Sequence, residues 1–151
     1  MSSGKITLEQ RKASLRYHVQ EYRKRRVIID TDAACEADDP FAIAQALMSK
    51  MLEVKGICAE HFVEEGSMEQ SYEMICRVTE AMGAEVPVLR GQTGKMSEHH
   101  GEPMTEAAQF IVGEAMKEDD KPLFVLCIGA VTNVAEAIRA KSEIVDRMTV
   151  V

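Results

Sequence analysis

The stretch Val27-Ile28-Ile29-Asp30-Thr31-Asp32 constrains this chain more than any other. Three β-branched residues in a row read as a short buried strand, and carboxylates begin where that strand should stop. After Ala33-Ala34-Cys35-Glu36-Ala37 come Asp38-Asp39-Pro40 and an apolar segment. Asp before Pro is a helix start, because the carboxylate caps free N–H groups and proline's fixed φ suits the first turn. A strand, an acidic turn and a helix in that order place the carboxylates at the carboxyl edge of a parallel sheet, where open α/β folds carry their sites. Asp30, Asp32, Asp38 and Asp39, with Glu36 among them, repel one another unless a positive charge joins them. A hard divalent cation is the simplest such charge, since Ca²⁺ and Mg²⁺ prefer carboxylate and carbonyl oxygens. The plain alternative is a solvated acidic loop with one capping aspartate.

The 151 residues are enough for one domain that buries about 70% of its unfolded surface. No long apolar run predicts a membrane span, and the polar, basic N-terminus has no secretory h-region. The net charge of −7, from 18 basic and 25 acidic side chains, argues against general nucleic-acid binding. Cys35, Cys58, Cys76 and Cys127 form no C-x-x-C pair and read as free thiols of a reducing cytoplasm. Cys35 lies among acids that disfavour its thiolate, so it is not expected to be a nucleophile.

Periodicity extends the strand–helix alternation along the chain. Thr7 and Gln10 resemble a capping box, and Leu8, Leu15, Val19 and Tyr22 predict a helix over 8–24 with a basic last turn. Further helices are expected over 40–50, 67–82 (opened by a capping box at Ser67–Gln70 and closed by Gly83), 104–116 and 133–141. Strands are expected at 54–59, 86–89, 122–128 and 148–151. The fully apolar run at 122–128 is what a parallel sheet covered on both faces requires. The expected fold is therefore α/β in three layers, with an open, mostly parallel sheet of about five strands and an extra N-terminal helix. Residues 1–26 would form the basic helical extension and 27–151 the α/β unit.

Asp30-Thr31-Asp32 with Asp38-Asp39 resembles the D-x-D-P-G-x-D-D signature of the inosine–uridine-preferring nucleoside hydrolases, and Gly129-Ala130-Val131-Thr132-Asn133-Val134-Ala135 is similar to that family's G-x-x-T-N-[LIV]-A turn. The spacer between the two acidic pairs is longer here and lacks Pro-Gly, as in a divergent branch. The resemblance implies hydrolysis of the N-glycosidic bond of a ribonucleoside with Ca²⁺ as cofactor. By motif position Asp32 would be general base and calcium ligand, Asp39 a second ligand, and the Thr132 backbone carbonyl a third. Asp38 would accept from a ribose hydroxyl, and Asp30 and Asn133 would support the site. His61 at the end of the second strand, and His99 or His100 in the long 90–103 loop, would approach the substrate. A small-molecule nucleoside is then the expected partner, with no nucleic acid and no membrane; a homo-oligomer is open. The resemblance covers residues 27–151 and corresponds to the N-terminal half of a family subunit, so the chain is expected to be truncated.

Other readings of the same residues remain open. His61 alone could be structural, and Thr132 or Asn133 could merely cap a helix. Asp30-Thr31-Asp32 also resembles the D-x-D of haloacid-dehalogenase-type phosphatases, where the first Asp is the nucleophile. A remnant that binds calcium or a ribosyl ligand without catalysis is the non-enzymatic alternative.

Overall fold

The computed structural model describes residues 6–98 and 102–151. The apolar run after the basic segment is the strand β1 (Arg25–Thr31), with Val27, Ile28 and Ile29 all buried. Helix α1 (Leu8–Ser14) precedes it, and α2 (Asp38–Met48), β2 (Leu52–Ala59), α3 (Ser67–Met82), β3 (Val88–Arg90), α4 (Glu106–Ala115), β4 (Leu123–Ile128), α5 (Thr132–Ala140) and β5 (Met148–Val150) follow. The described strands form one sheet in the order β3-β2-β1-β4-β5, and every pairing is parallel. The open, parallel, five-stranded sheet is the one the sequence predicts; the strand order, with β1 at its centre, comes from the structure.

Side chains on β1 alternate between two cores because successive residues of a strand point to opposite faces. Ile28 packs with Val125, with Ile111 and Ala107 of α4 and with Ala137 of α5. Ile29 packs on the other face with Ile57, with Ile43 and Leu47 of α2, with Ile75 of α3 and with Leu8 of α1. Burying each isoleucine contributes about 1.5–3 kcal/mol before entropy is counted. The second face is why α1 docks at all: its one buried residue, Leu8, joins that core, and the Leu8 N–H donates to the Gly83 carbonyl at 2.9 Å.

Three helix starts and stops differ from expectation. The Thr7–Gln10 capping box forms, but α1 ends at Ser14 rather than continuing to 24. Beyond it the Lys50 ammonium donates to the Leu15 and Tyr17 carbonyls, each at 2.8 Å, and holds the chain extended against the propensity for helix. Helix α2 starts at Asp38, two residues before Pro40, from Ala37 and without a side-chain cap; Asp38 and Asp39 sit in its first turn, where the helix dipole favours negative charge. At α3 Ser67 makes no capping box. Its hydroxyl accepts from the Phe62 N–H at 2.9 Å and donates to the Phe62 carbonyl at 3.1 Å, which ties down the chain leaving β2, while Gly66 opens the helix in a left-handed conformation.

At the far end of the sheet Arg26 is buried and bridges Glu114 at 3.0 Å. No helix among the described residues is long and apolar enough to cross a membrane.

Candidate active site at the carboxyl edge of the sheet

A parallel sheet brings the ends of β1, β2, β3 and β4 to one edge, and the polar residues that follow each strand meet there. Asn133, at the start of α5, is fully buried at the centre. Its side-chain amide donates to Asp30 Oδ1 at 2.9 Å and to the Ala59 carbonyl at 3.1 Å, and its oxygen accepts from the Gln92 N–H at 3.0 Å. The backbone N–H of Asn133 donates to Glu60 Oε1 at 3.0 Å. One asparagine therefore joins the ends of β1 and β2, the chain beyond β3, and α5. The capping role open to Asn133 is not the one it fills.

Asp30 and Glu60 are both fully buried, and each keeps one oxygen, Oδ2 and Oε2, without a donor. Burial, then the charge of Glu60, pushes the Asp30 carboxyl well above the ordinary carboxylate range, with the Asn133 amide opposing. A single proton shared by the two carboxyls, or an amide donor in place of one of them, would satisfy both orphaned oxygens. Asp30 is therefore a buried acid bonded to Asn133. It is absent from the walls of the cavity at this edge, so the phosphatase reading has no exposed nucleophile.

That cavity has a volume of about 930 Å³. Asp32, Asp38 and Asp39 form one wall, with Cys35 and Glu36; His61, Phe62, Val63, Glu64 and Glu65 form another; Thr93, Gly94, Lys95 and Glu98 come from the long loop; Ile128, Gly129 and Ala130 close it. Carboxylates dominate, and Lys95 is the one lysine among the described lining residues. A second hollow of about 1000 Å³ lies at the opposite edge between α1 and the start of β2. Of its acids Glu9, Glu21, Glu53 and Glu85, the second and third are paired with Lys121, and Lys12, Lys24 and Lys50 line it as well, so the smaller cavity, where acids dominate, is the better site.

Asp39 is buried while Asp38 is exposed in the cavity wall. Burial, then a hydrogen bond with Asp32, raises the Asp39 carboxyl to about 6, and the charges of Asp32 and Asp38 add to the shift. Two carboxylates in hydrogen-bond contact share a proton or a cation. Both are hard oxygen donors, so the pair fits Ca²⁺. No three acid, His or Cys side chains gather as a metal cage among the described residues; further donors would be backbone carbonyls, substrate hydroxyls or water.

His61 lines the cavity and is bonded within the protein. Its Nε2 lies 3.1 Å from Thr132 Oγ1 and its Nδ1 3.4 Å from the Phe62 carbonyl. A carbonyl only accepts, so this arrangement protonates Nδ1 and lets the Thr132 hydroxyl donate to Nε2. Thr132 itself is buried and is not among the residues that line the cavity; His61 links it to the wall. His99 and His100 lie outside the described residues. Cys35 is exposed; desolvation and the charges of Asp32, Glu36 and Asp39 raise its thiol, in line with an inert cysteine.

Sequence reasoning missed Glu60 and Gln92. The available signal was an acid embedded in the apolar run Ile57–Phe62, and a Gly-Gln pair directly after a strand. Gly91 is needed for close approach: a Cβ there would lie 2.1 Å from Asn133 Oδ1 and 2.4 Å from the Ala59 carbonyl. Gly91→Ala is expected to destabilise the protein by about 1–3 kcal/mol, the usual cost of overpacking, read as a lowered melting temperature.

Comparison with known proteins agrees with this architecture. A search of curated proteins finds no match. Among solved structures, a purine-preferring ribonucleoside hydrolase from Gardnerella vaginalis is 25% identical, with a TM-score of 0.70 over 84% of this chain and 48% of that one. An inosine–guanosine nucleoside hydrolase is 24% identical, with a TM-score of 0.64 over 82% and 45%. A nucleoside hydrolase from Bacillus anthracis is 13% identical, with a TM-score of 0.59 over 82% and 48%, a likeness of fold. The chain spans about half the length of these structures. The model of the inosine–uridine preferring nucleoside hydrolases matches residues 27–151, and the chain belongs to that family.

Proposed function

We propose that this protein hydrolyses the N-glycosidic bond of a ribonucleoside to free base and ribose, with Asp32 as general base and Asp32, Asp39 and the Thr132 carbonyl as calcium ligands. The observation that carries the reading is the contact between the Asp32 and Asp39 carboxylates on the wall of an open cavity. Acids on one wall suit sugar hydroxyls, which donate, whereas Phe62, Val63, Ile128 and Ala130 give the cavity apolar lining that suits a flat base. The acidic lining disfavours phosphate, so nucleosides rather than nucleotides are the substrate class.

Calcium, when bound, supplies positive charge that orients sugar hydroxyls and lowers the pKa of water. Asp32 takes the proton from the attacking water as the bond between C1′ and the base nitrogen lengthens. The hydroxyl joins C1′, whose transition state carries oxocarbenium character, and the departing base takes up a proton. Asp38, exposed in the same wall, accepts from a ribose hydroxyl. His61 holds the Thr132 side chain and stands where it can reach the substrate.

Incubation with inosine, uridine and their 5′-phosphates, with calcium or with chelator, tests this reading. Calcium-dependent release of ribose from the nucleosides is expected. Calcium binding without ribose release would replace the enzyme reading with the non-catalytic one.

The Asp39 carboxyl makes stability depend on pH in a predictable sense. Its folded value of about 6 lies above its ordinary one, so the folded state binds the extra proton between about pH 4 and pH 6. That contribution is full below the lower value and is lost as pH rises through the upper. Relative to the metal-free wild type, the melting temperature of Asp39→Asn should therefore rise from pH 4 to pH 7. Calcium should shrink the difference at pH 7 by stabilising only the wild type.

A further inference from the structure

Helix α5 has no cap of its own. The residue at its N-terminus is Val131, held at φ 62 with no side-chain hydrogen bond to the first turn. Left-handed backbone at a β-branched residue is strained, so something outside the turn must hold it. The group that does so is Glu60, whose Oε1 accepts the Asn133 N–H at 3.0 Å from the end of β2. A serine or aspartate at 131 would cap the helix at a smaller desolvation cost than a fully buried glutamate. Such a cap, however, would fix the helix only to itself. A cap reaching from β2 fixes it to the sheet.

The rest of the surroundings points the same way. Asn133 is held through its side chain by Asp30, Ala59 and Gln92 and through its backbone by Glu60. Thr132, immediately before it, is held through its hydroxyl by His61, the residue that follows Glu60. Gly129 lets both Glu60 and Asp32 approach the turn closely, because a Cβ there would stand 3.3 Å from Glu60 Oε2 and 2.9 Å from the Asp32 N–H nitrogen. Glu60 and the Asp32 backbone thus both stand against Gly129, at the head of the turn that carries Thr132.

We infer that Glu60 is a positioning residue: by its reach rather than its charge, it sets the backbone of the Thr132–Asn133 turn against Asp32 and so places the oxygen donors of the site. The consequence for metal affinity rests on the calcium reading given above; the placement of the turn does not.

Two substitutions separate reach from charge. Glu60→Gln keeps the length and an accepting oxygen, and its amide would face the orphaned Asp30 Oδ2. Glu60→Asp keeps the charge and withdraws it by one methylene. Hydrogen exchange of the Asn133 amide by NMR, and terbium luminescence as a probe of the calcium site, are measured on the full chain, with Asp39→Asn as the metal-site control. Glu60→Asp should speed exchange at Asn133 about tenfold or more, as loss of a buried hydrogen bond predicts, and weaken terbium binding to a similar degree. Glu60→Gln should stay within about threefold of wild type in both. Wild-type exchange in Glu60→Asp, or equal losses in the two variants, would overturn the inference. If the wild type binds no terbium, or binds it no better than Asp39→Asn, the calcium reading fails while the exchange comparison still decides the role of Glu60.

Discussion

Asp32→Asn is expected to cut ribonucleoside turnover by roughly 10²- to 10⁴-fold, the range for loss of a positioned general base, and further if the calcium affinity falls with it. Its fold should survive. Asp32 is only half-buried, and in the metal-free protein it stands against the acid Asp39. Replacing one carboxylate of such a pair by an amide removes repulsion and leaves a donor for the other, so the metal-free melting temperature should hold or rise at neutral pH. Ribose release and a thermal melt on the same preparation check both halves. Undiminished ribose release would remove Asp32 from the chemistry; a collapse of the melt would make it a structural residue.

The second large effect is on stability and comes from a residue that is absent from the cavity lining. Asn133→Ala deletes three buried hydrogen bonds and strands Asp30 Oδ1, the Ala59 carbonyl and the Gln92 N–H. Each stranded group costs about 1–3 kcal/mol, so a loss of about 3–5 kcal/mol is expected after partial relaxation. Against a domain stability of about 5–15 kcal/mol that is a large fraction. Urea titration should show the midpoint falling while the slope stays constant, because the surface exposed on unfolding hardly changes. A shift smaller than that of Gly91→Ala would mean that the junction is held by something other than this amide.

Much of this molecule could be read from residue patterns because hydrophobic periodicity is a local property. The strand at Val27–Ile29, the helix that Gly83 closes and the apolar strand at Leu123–Ile128 each announce themselves within a few residues, although in that last strand only Leu123 and Val125 are buried and Ile128 is exposed, so the expected burial on both faces does not hold along its length. The acidic turn was visible for the same reason, since its aspartates are neighbours in sequence. What could not be read is what depends on partners far along the chain. Helix α1 stops at Ser14 because Lys50 captures the Leu15 and Tyr17 carbonyls. Ser67 looks like a helix cap and instead ties Phe62. Glu60 carries no local signature beyond an acid in apolar company, because its partner, the Asn133 N–H, sits 73 positions away. His61 was placed correctly at the strand end, but its bond to Thr132 exists only once β2 and α5 have met.

The order of strands in the sheet has a consequence during synthesis. Of the described strands the central one, β1, is made before the others, and its neighbour on one side, β2, follows directly. Its neighbour on the other side is β4, which begins only at Leu123. At ribosomal rates of about 5–20 residues per second, the β1 edge that will receive β4 waits on the order of 5–20 s with its N–H and C=O groups unpaired. An apolar strand with an open edge is a template for pairing with another chain. The nascent polypeptide is therefore most exposed to aggregation, and most dependent on chaperones, in the interval between residues 32 and 122.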